Sequence, residues 1–204
     1  MRKISLAIIG PHQAGKSTFI RRLDPSAVRM DYEKGTLSTT VGFDYGIIFW
    51  DATKDKLYPK ESIEDLDPFD EIWKVTLTGT PGQIAFSYVR KALVKGKDGV
   101  IMIVDSTQPV QLVYALGQYQ EAREVLPPGF PFLVLANKQD LPDAKPPDVI
   151  KSLLGMEAEV IPISALRGDG VQEAFIHFLK VVRTDIMRRS IQSYAEARIG
   201  VRKL

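Results

Sequence analysis

The sequence predicts an α/β fold in three layers, with a mostly parallel sheet held between two layers of helices. Three observations carry that prediction. Short, nearly continuous apolar runs of strand length recur along the chain, helical stretches separate them, and a glycine-rich loop stands where the first strand meets the first helix.

The first run covers residues 4–9, and its lack of alternation marks a strand buried on both faces. A helix opens at Lys16, directly after the glycine-rich loop. Residues 43–50 alternate more loosely and read as an edge strand. The runs 72–78, 99–105, 132–136 and 160–163 again lack alternation, which brings the sheet to about six strands. Helix candidates fill the gaps at 84–95, 109–125 and 147–154, and a last one starts at Val171. Strand and helix in alternation put helices on both faces of the sheet, and ligands of such sheets bind at the carboxyl ends of the strands.

Composition narrows the classes of function. The 204 residues suit one domain, and with 45% hydrophobic and 25% charged residues wholesale disorder is excluded. The absence of cysteine removes disulfides, thiolate metal sites and cysteine nucleophiles, and the two histidines, His12 and His177, are too few for a histidine-rich zinc site. A net charge of +2 is too small to argue for nucleic-acid binding by the whole surface. No apolar run approaches the roughly 18 residues of a membrane span. Met1-Arg2-Lys3-Ile4 has neither a signal-peptide core nor a glycine at position 2, and Val201-Arg202-Lys203-Leu204 offers no prenylation cysteine. The expectation is a cytoplasmic protein without a lipid anchor, whose contact with an anionic membrane, if it makes one, is peripheral.

Two segments differ in charge from the body. Residues 51–71 carry eight acidic residues against three lysines and read as an exposed acidic insertion, while 183–204 carry six basic residues against two acidic ones. The expected organisation is a domain over 1–182 followed by a basic helical extension over 183–204. A solvated surface explains both segments; for the tail, anionic lipid, an acidic partner or the acidic segment itself are further targets.

Gly10-Pro11-His12-Gln13-Ala14-Gly15-Lys16-Ser17 matches the G-x-x-x-x-G-K-[ST] phosphate loop, in the strand-loop-helix setting the motif requires. Its glycines let the backbone curl so that successive N–H groups meet phosphate oxygens, and the helix N-terminus adds partial positive charge there. Lys16 is expected on the β- and γ-phosphates, Ser17 on Mg²⁺, and Thr18 beside them. Asn137-Lys138-Gln139-Asp140 and Ser164-Ala165-Leu166 follow two later strands on the same rim. A carboxylate at Asp140 can accept from guanine N1–H and N2–H₂, a donor pair that adenine lacks.

With these motifs the chain resembles a small Ras-superfamily GTPase over about residues 3–182. The run from Asn137 to Ala144 and Thr40-Val41-Gly42-Phe43 are similar to the Arf branch. Thr80-Pro81-Gly82-Gln83, Arg90-Lys91-Ala92-Leu93 and Lys95-Gly96 resemble bacterial and archaeal Mgl-type GTPases. The resemblance implies a P-loop G domain that binds GTP or GDP with Mg²⁺, Asn137 bracing base and loop, Lys138 packing along the base, and Ala165 offering its N–H to guanine O6. Thr40, or Thr39 one position earlier, would hold Mg²⁺ in a first switch. Gly82 would meet the γ-phosphate in a second switch, and Gln83 would position the attacking water. Gly79 stands where the family usually has an aspartate. His12 stands beside the γ-phosphate, where a side chain can hinder Gln83 or be neutral. No arginine lies between Arg29 and Arg90, so the first switch supplies none in cis. The implied function is a GTP/GDP switch with slow, partner-stimulated hydrolysis, its partners being activating, exchange or effector proteins. The alternative is a weakly hydrolysing interaction module resembling the β-subunit of the signal-recognition-particle receptor. His177, among Phe175, Ile176, Phe178 and Leu179, reads as a packed or surface residue.

Overall fold

The computed structural model describes residues 1–33, 40–67, 69–83, 86–155 and 157–201, without the side chains of 31–33, 40, 41, 65 and 195–201. Eight strands form one mixed sheet: β1 (Arg2–Ile9), β2 (Val28–Glu33), β3 (Thr40–Asp51), β4 (Lys56–Pro59), β5 (Ile72–Gly79), β6 (Gly99–Asp105), β7 (Phe132–Asn137) and β8 (Glu159–Pro162). Their spatial order is β2-β3-β5-β1-β6-β7-β8, with β4 added on β3. The strands β5, β1, β6, β7 and β8 run parallel, whereas β2, β3 and β4 join antiparallel.

Among the described residues the sheet has eight strands, where about six were expected. Val28–Glu33 and Lys56–Pro59 carry charges and a proline rather than an apolar run, and their strand conformation comes from pairing with β3. Residues 43–50 do not form an edge strand. β3 lies between β2 and β5, and its looser alternation reflects antiparallel neighbours on both sides. The acidic segment is not a solvated loop throughout: Asp51 is fully buried, β4 pairs into the sheet, and a 3₁₀ helix covers Lys60–Asp65.

The helices are α1 (Lys16–Leu23), α2 (Ser87–Val94), α3 (Pro109–Arg123), α4 (Pro147–Leu154) and α5 (Val171–Val201). Because side chains alternate along a strand, each buried strand feeds two cores. In β6, Ile101 and Ile103 join one core with Phe19 of α1 and Phe175, Phe178 and Val182 of α5. Val100, Met102 and Val104 join the other, with Leu112, Ala115 and Ala122 of α3 and Ile150 and Leu154 of α4. This is why the parallel strands read as unbroken apolar runs. α5 continues without a break past residue 182, and Arg183 within it pairs with Glu71 at 2.6 Å. Among the described residues no helix is long and apolar enough to cross a membrane.

Candidate functional site

The phosphate loop leaves β1 through Gly10 at φ 140°, where a Cβ would lie 2.1 Å from the Ile103 carbonyl oxygen, so only glycine fits. Gln13 and Gly15 also take positive φ, 63° and 103°, and Gly15 caps α1 in the left-handed region. No side chain caps α1 and its first turn holds no acidic residue, so its N–H groups are left for an anion. Ala14, within the loop, is fully buried.

Lys16 points back into the loop. Its Nζ donates to the carbonyls of Gly10 at 2.9 Å and Pro11 at 2.7 Å. Burial pushes the ammonium down to about 8, partly offset by Asp44, with Arg90 adding to the push. The Ser17 hydroxyl donates to Asp44 Oδ2 at 2.6 Å. These groups share a cleft of about 520 Å³ whose walls include His12, Gln13, Thr18, Arg29, Thr80, Gly82 and Gln83. Thr40 opens β3, but its side chain is outside those described, and Thr39 lies outside the described residues altogether.

Gly82 sits on the phosphate loop. A Cβ there would lie 2.5 Å from the His12 backbone nitrogen and 2.7 Å from Lys16 Nζ, which leaves no room for one. Two helices hold this segment. Gln118 Nε2 of α3 donates to the Gly82 carbonyl at 3.1 Å, and the buried Arg90 of α2 donates to the carbonyls of Gln83 and of Pro81. Arg90 is held in turn by Glu121, through Nε at 3.0 Å and Nη2 at 2.8 Å. The Gln83 side chain stays exposed at the cleft.

The base-side loops lie beyond that cleft, and Asn137 ties the two halves together. Its Nδ2 donates to the Ala14 carbonyl at 2.8 Å, while its Oδ1 accepts the N–H of Ala165 at 2.9 Å. Lys138 takes φ 69° and pairs with Asp105 at the end of β6. Burial alone would raise the Asp105 carboxyl, yet Lys138 and Thr107 hold it below the usual carboxylate range. Asp140 is also held low, first by the Ser164 hydroxyl, against the pull of burial, then by its own backbone N–H and Arg167. Arg22 of α1 donates to the carbonyls of Ala165 and Leu166, and Leu166 itself is exposed. His177 pairs with Glu159 on the surface, at 2.9 Å.

The structure thus gathers Gln13, Gly15, Lys16, Ser17, Thr18, Gly82 and Gln83 in one cleft, and Asn137, Lys138, Asp140, Ser164 and Ala165 in an adjoining pair of loops. The sequence alone assigned no role to Asp44, Arg29 or Asp105, nor to Thr80 and Arg90, which stand within the runs quoted for the resemblance. The only signal for Asp44 was its place one residue after the Thr40-Val41-Gly42-Phe43 run.

The chain is 36% identical over 110 residues to an elongation factor 4 of Dehalococcoides mccartyi, 34% to one of Christiangramia forsetii and 32% to one of Rubrobacter xylanophilus. Each match takes in 50% of this chain and 17% of the relative, so the chain spans well under a fifth of the length of these curated proteins. The family model described as the elongation factor Tu GTP binding domain matches residues 1–187. The chain therefore belongs to that family and is a P-loop GTPase domain of the translation-factor type.

Proposed function

We propose that the chain binds GTP and GDP, hydrolyses GTP slowly alone, and acts in the cytoplasm as a two-state switch whose turnover a partner protein accelerates. The observation that carries this reading is Asn137, which bonds the phosphate loop through Ala14 and the base loop through Ala165. One side chain so placed couples recognition of the two ends of a nucleotide. Asp140, kept ionised by Ser164, accepts from guanine N1–H and N2–H₂ and discriminates against adenine. Lys16 and the uncapped start of α1 meet the phosphate charge. Gln83 orients a water for attack on the γ-phosphorus, and Gly82 supplies its N–H to the γ-phosphate.

The donors on this side of the cleft are hard oxygens, and Thr80 Oγ1 is buried there with no hydrogen-bond partner among the described residues, a setting that fits Mg²⁺. Ser17 and Thr40 would hold the ion. When bound, Mg²⁺ neutralises charge on the β- and γ-phosphate oxygens.

The finer placement near the Arf and Mgl branches rests on Thr80-Pro81-Gly82-Gln83 and on the run after Asn137. The relatives named elongation factor make the translation machinery the other source of a partner. Residues 1–182 serve as the nucleotide domain and 183–204 as an extension for docking. The second reading, a weakly hydrolysing interaction module, draws on Gly79, which stands where the family usually has an aspartate, and on His12, which lines the cleft with Gln83. Calorimetry with GTP, GDP and ATP followed by multiple-turnover phosphate release tests both. The expected result is binding of the guanine nucleotides alone and release on the order of 10⁻⁴ to 10⁻² s⁻¹. ATP bound as tightly as GTP overturns the guanine reading. Tight GTP without release selects the module.

A further inference from the structure

We infer that Asp44 of β3 is the protein carboxylate of the divalent-cation site, placed there by antiparallel pairing with β5. The inference rests on the nucleotide-binding reading above. Three observations carry it. Asp44 Oδ2 accepts the Ser17 hydroxyl at 2.6 Å, so a carboxylate already faces the oxygen at the start of α1 that would hold the ion. Thr80, only 3% exposed, lines the same cleft, and its buried hydroxyl has no hydrogen-bond partner among the described residues. Space is the third. Tyr45 pairs with Thr78, which sets Asp44 across from Gly79, and a Cβ on Gly79 would lie 3.3 Å from Asp44 Cβ and 2.9 Å from Ile20 Cδ1. A side chain at position 79 would therefore press on Asp44 and displace Ile20 Cδ1, so positions 79 and 44 share one space.

Among the described residues no group of three His, Cys, Asp or Glu gathers as a metal cage. A Mg²⁺-class cation keeps waters and takes one or two carboxylates together with phosphate oxygens. Asp44 would hold the ion directly or through one of its waters, and it accepts the Ser17 hydroxyl hydrogen bond in this structure. It also faces Lys16, whose charge it favours.

The test is the Mg²⁺ dependence of GDP affinity, measured by fluorescence of a labelled GDP over a Mg²⁺ titration and in EDTA. Asp44→Asn should raise the Mg²⁺ midpoint at least tenfold while leaving affinity in EDTA within about threefold. Gly79→Asp alone should crowd Asp44 and weaken the Mg²⁺ effect. The pair Asp44→Ala with Gly79→Asp should bring the midpoint back, because one carboxylate again occupies the shared volume. A midpoint unchanged by Asp44→Asn overturns the proposal, as does equal weakening with and without Mg²⁺, which marks Asp44 as merely structural. If the unaltered chain binds no GDP even in EDTA, the nucleotide reading falls and this proposal with it. Intact GDP binding with an unmoved midpoint removes this proposal alone.

Discussion

At the base end of the candidate site the polar atoms are satisfied from within. Asn137 bonds Ala14 and Ala165, Lys138 meets Asp105, and Asp140 meets Ser164. At the phosphate end they are left wanting: Lys16 rests on two carbonyls with its proton loosened by burial, Thr80 Oγ1 has no partner among the described residues, and α1 starts uncapped. The difference teaches where binding energy is stored. A base end wired in advance loses little order when a ligand arrives, while a phosphate end of desolvated charge recovers its cost only when an anion is present.

The largest expected effect breaks the wired end. Asn137→Ala leaves the Ala14 carbonyl and the Ala165 N–H without partners in a position only 3% exposed. Roughly 2–4 kcal/mol of stability should go, a fall of about 5–10 °C in Tm, together with about a hundredfold loss of GDP affinity. Calorimetry and thermal melts check both. A stable protein with normal affinity would mean that the two ends are not coupled through this side chain.

Next is the loop that closes the phosphate end. Arg90→Lys keeps a charge but loses the forked contact with Glu121 and the reach to Gln83 and Pro81. The expected cost is about 2 kcal/mol of stability. Single-turnover hydrolysis should slow by about tenfold or more, with GDP affinity barely changed, because the base end is untouched. A parallel loss of GDP affinity would count against this assignment.

How much was legible in the sequence follows the same division. The glycine-rich loop and the loops after β7 and β8 are contiguous motifs at the ends of apolar strands, so local pattern alone brings Lys16, Asn137 and Asp140 forward as candidates. The contacts of Asp44 and Arg90 are not legible that way. Asp44 reaches Ser17 across 27 residues through antiparallel pairing, and Arg90 meets Glu121 across 31, through helix packing. Neither relation has a period or a spacing to betray it. The extra strands failed for a related reason: β2 and β4 owe their conformation to β3, and a charged or proline-containing segment shows no sign of a partner it has yet to meet.

A smaller and pH-dependent effect sharpens the account of stored cost. Lys16, at about 8 in the nucleotide-free protein, is mostly charged at neutral pH and loses its proton as pH rises past that value. A bound phosphate favours the charged form, so binding takes up a proton above pH 8. GDP affinity should fall by up to tenfold per pH unit there. Between about 8 and the ordinary lysine value of 10.5 the unfolded chain binds more protons, so the stability of the free protein should rise with pH over that window. Calorimetry in two buffers of different ionisation enthalpy reads the proton uptake directly. No uptake near pH 8.5 would show that Lys16 is fully charged before the ligand arrives.

The smallest effect lies outside both ends, where α5 is fastened to the start of β5. Glu71 accepts from Arg183 at 2.6 Å, from Trp73 Nε1 at 3.0 Å and from Arg2 at 3.2 Å. Lys180 of the same helix reaches Asp55 at 2.6 Å, so a basic helix meets the acidic segment twice. Burial alone would raise the Glu71 carboxyl, but Trp73, Arg183 and Arg2 hold it below its ordinary 4.5. A carboxylate with a lowered folded-state value contributes stability in full above the unfolded value and loses it as pH falls through the folded one. Glu71 and Arg183 are each about a third exposed, so water and salt screen the pair and its worth is about 0.5–1 kcal/mol. Glu71→Gln should therefore lower Tm by about 2 °C at pH 7 and low salt. The gap should close as pH drops well below 4.5 or as salt rises, and GDP affinity should not move. A Tm difference that survives both acid and salt would assign the contribution of Glu71 to packing and not to charge, and a loss of GDP affinity would tie this fastening of α5 to the nucleotide site after all.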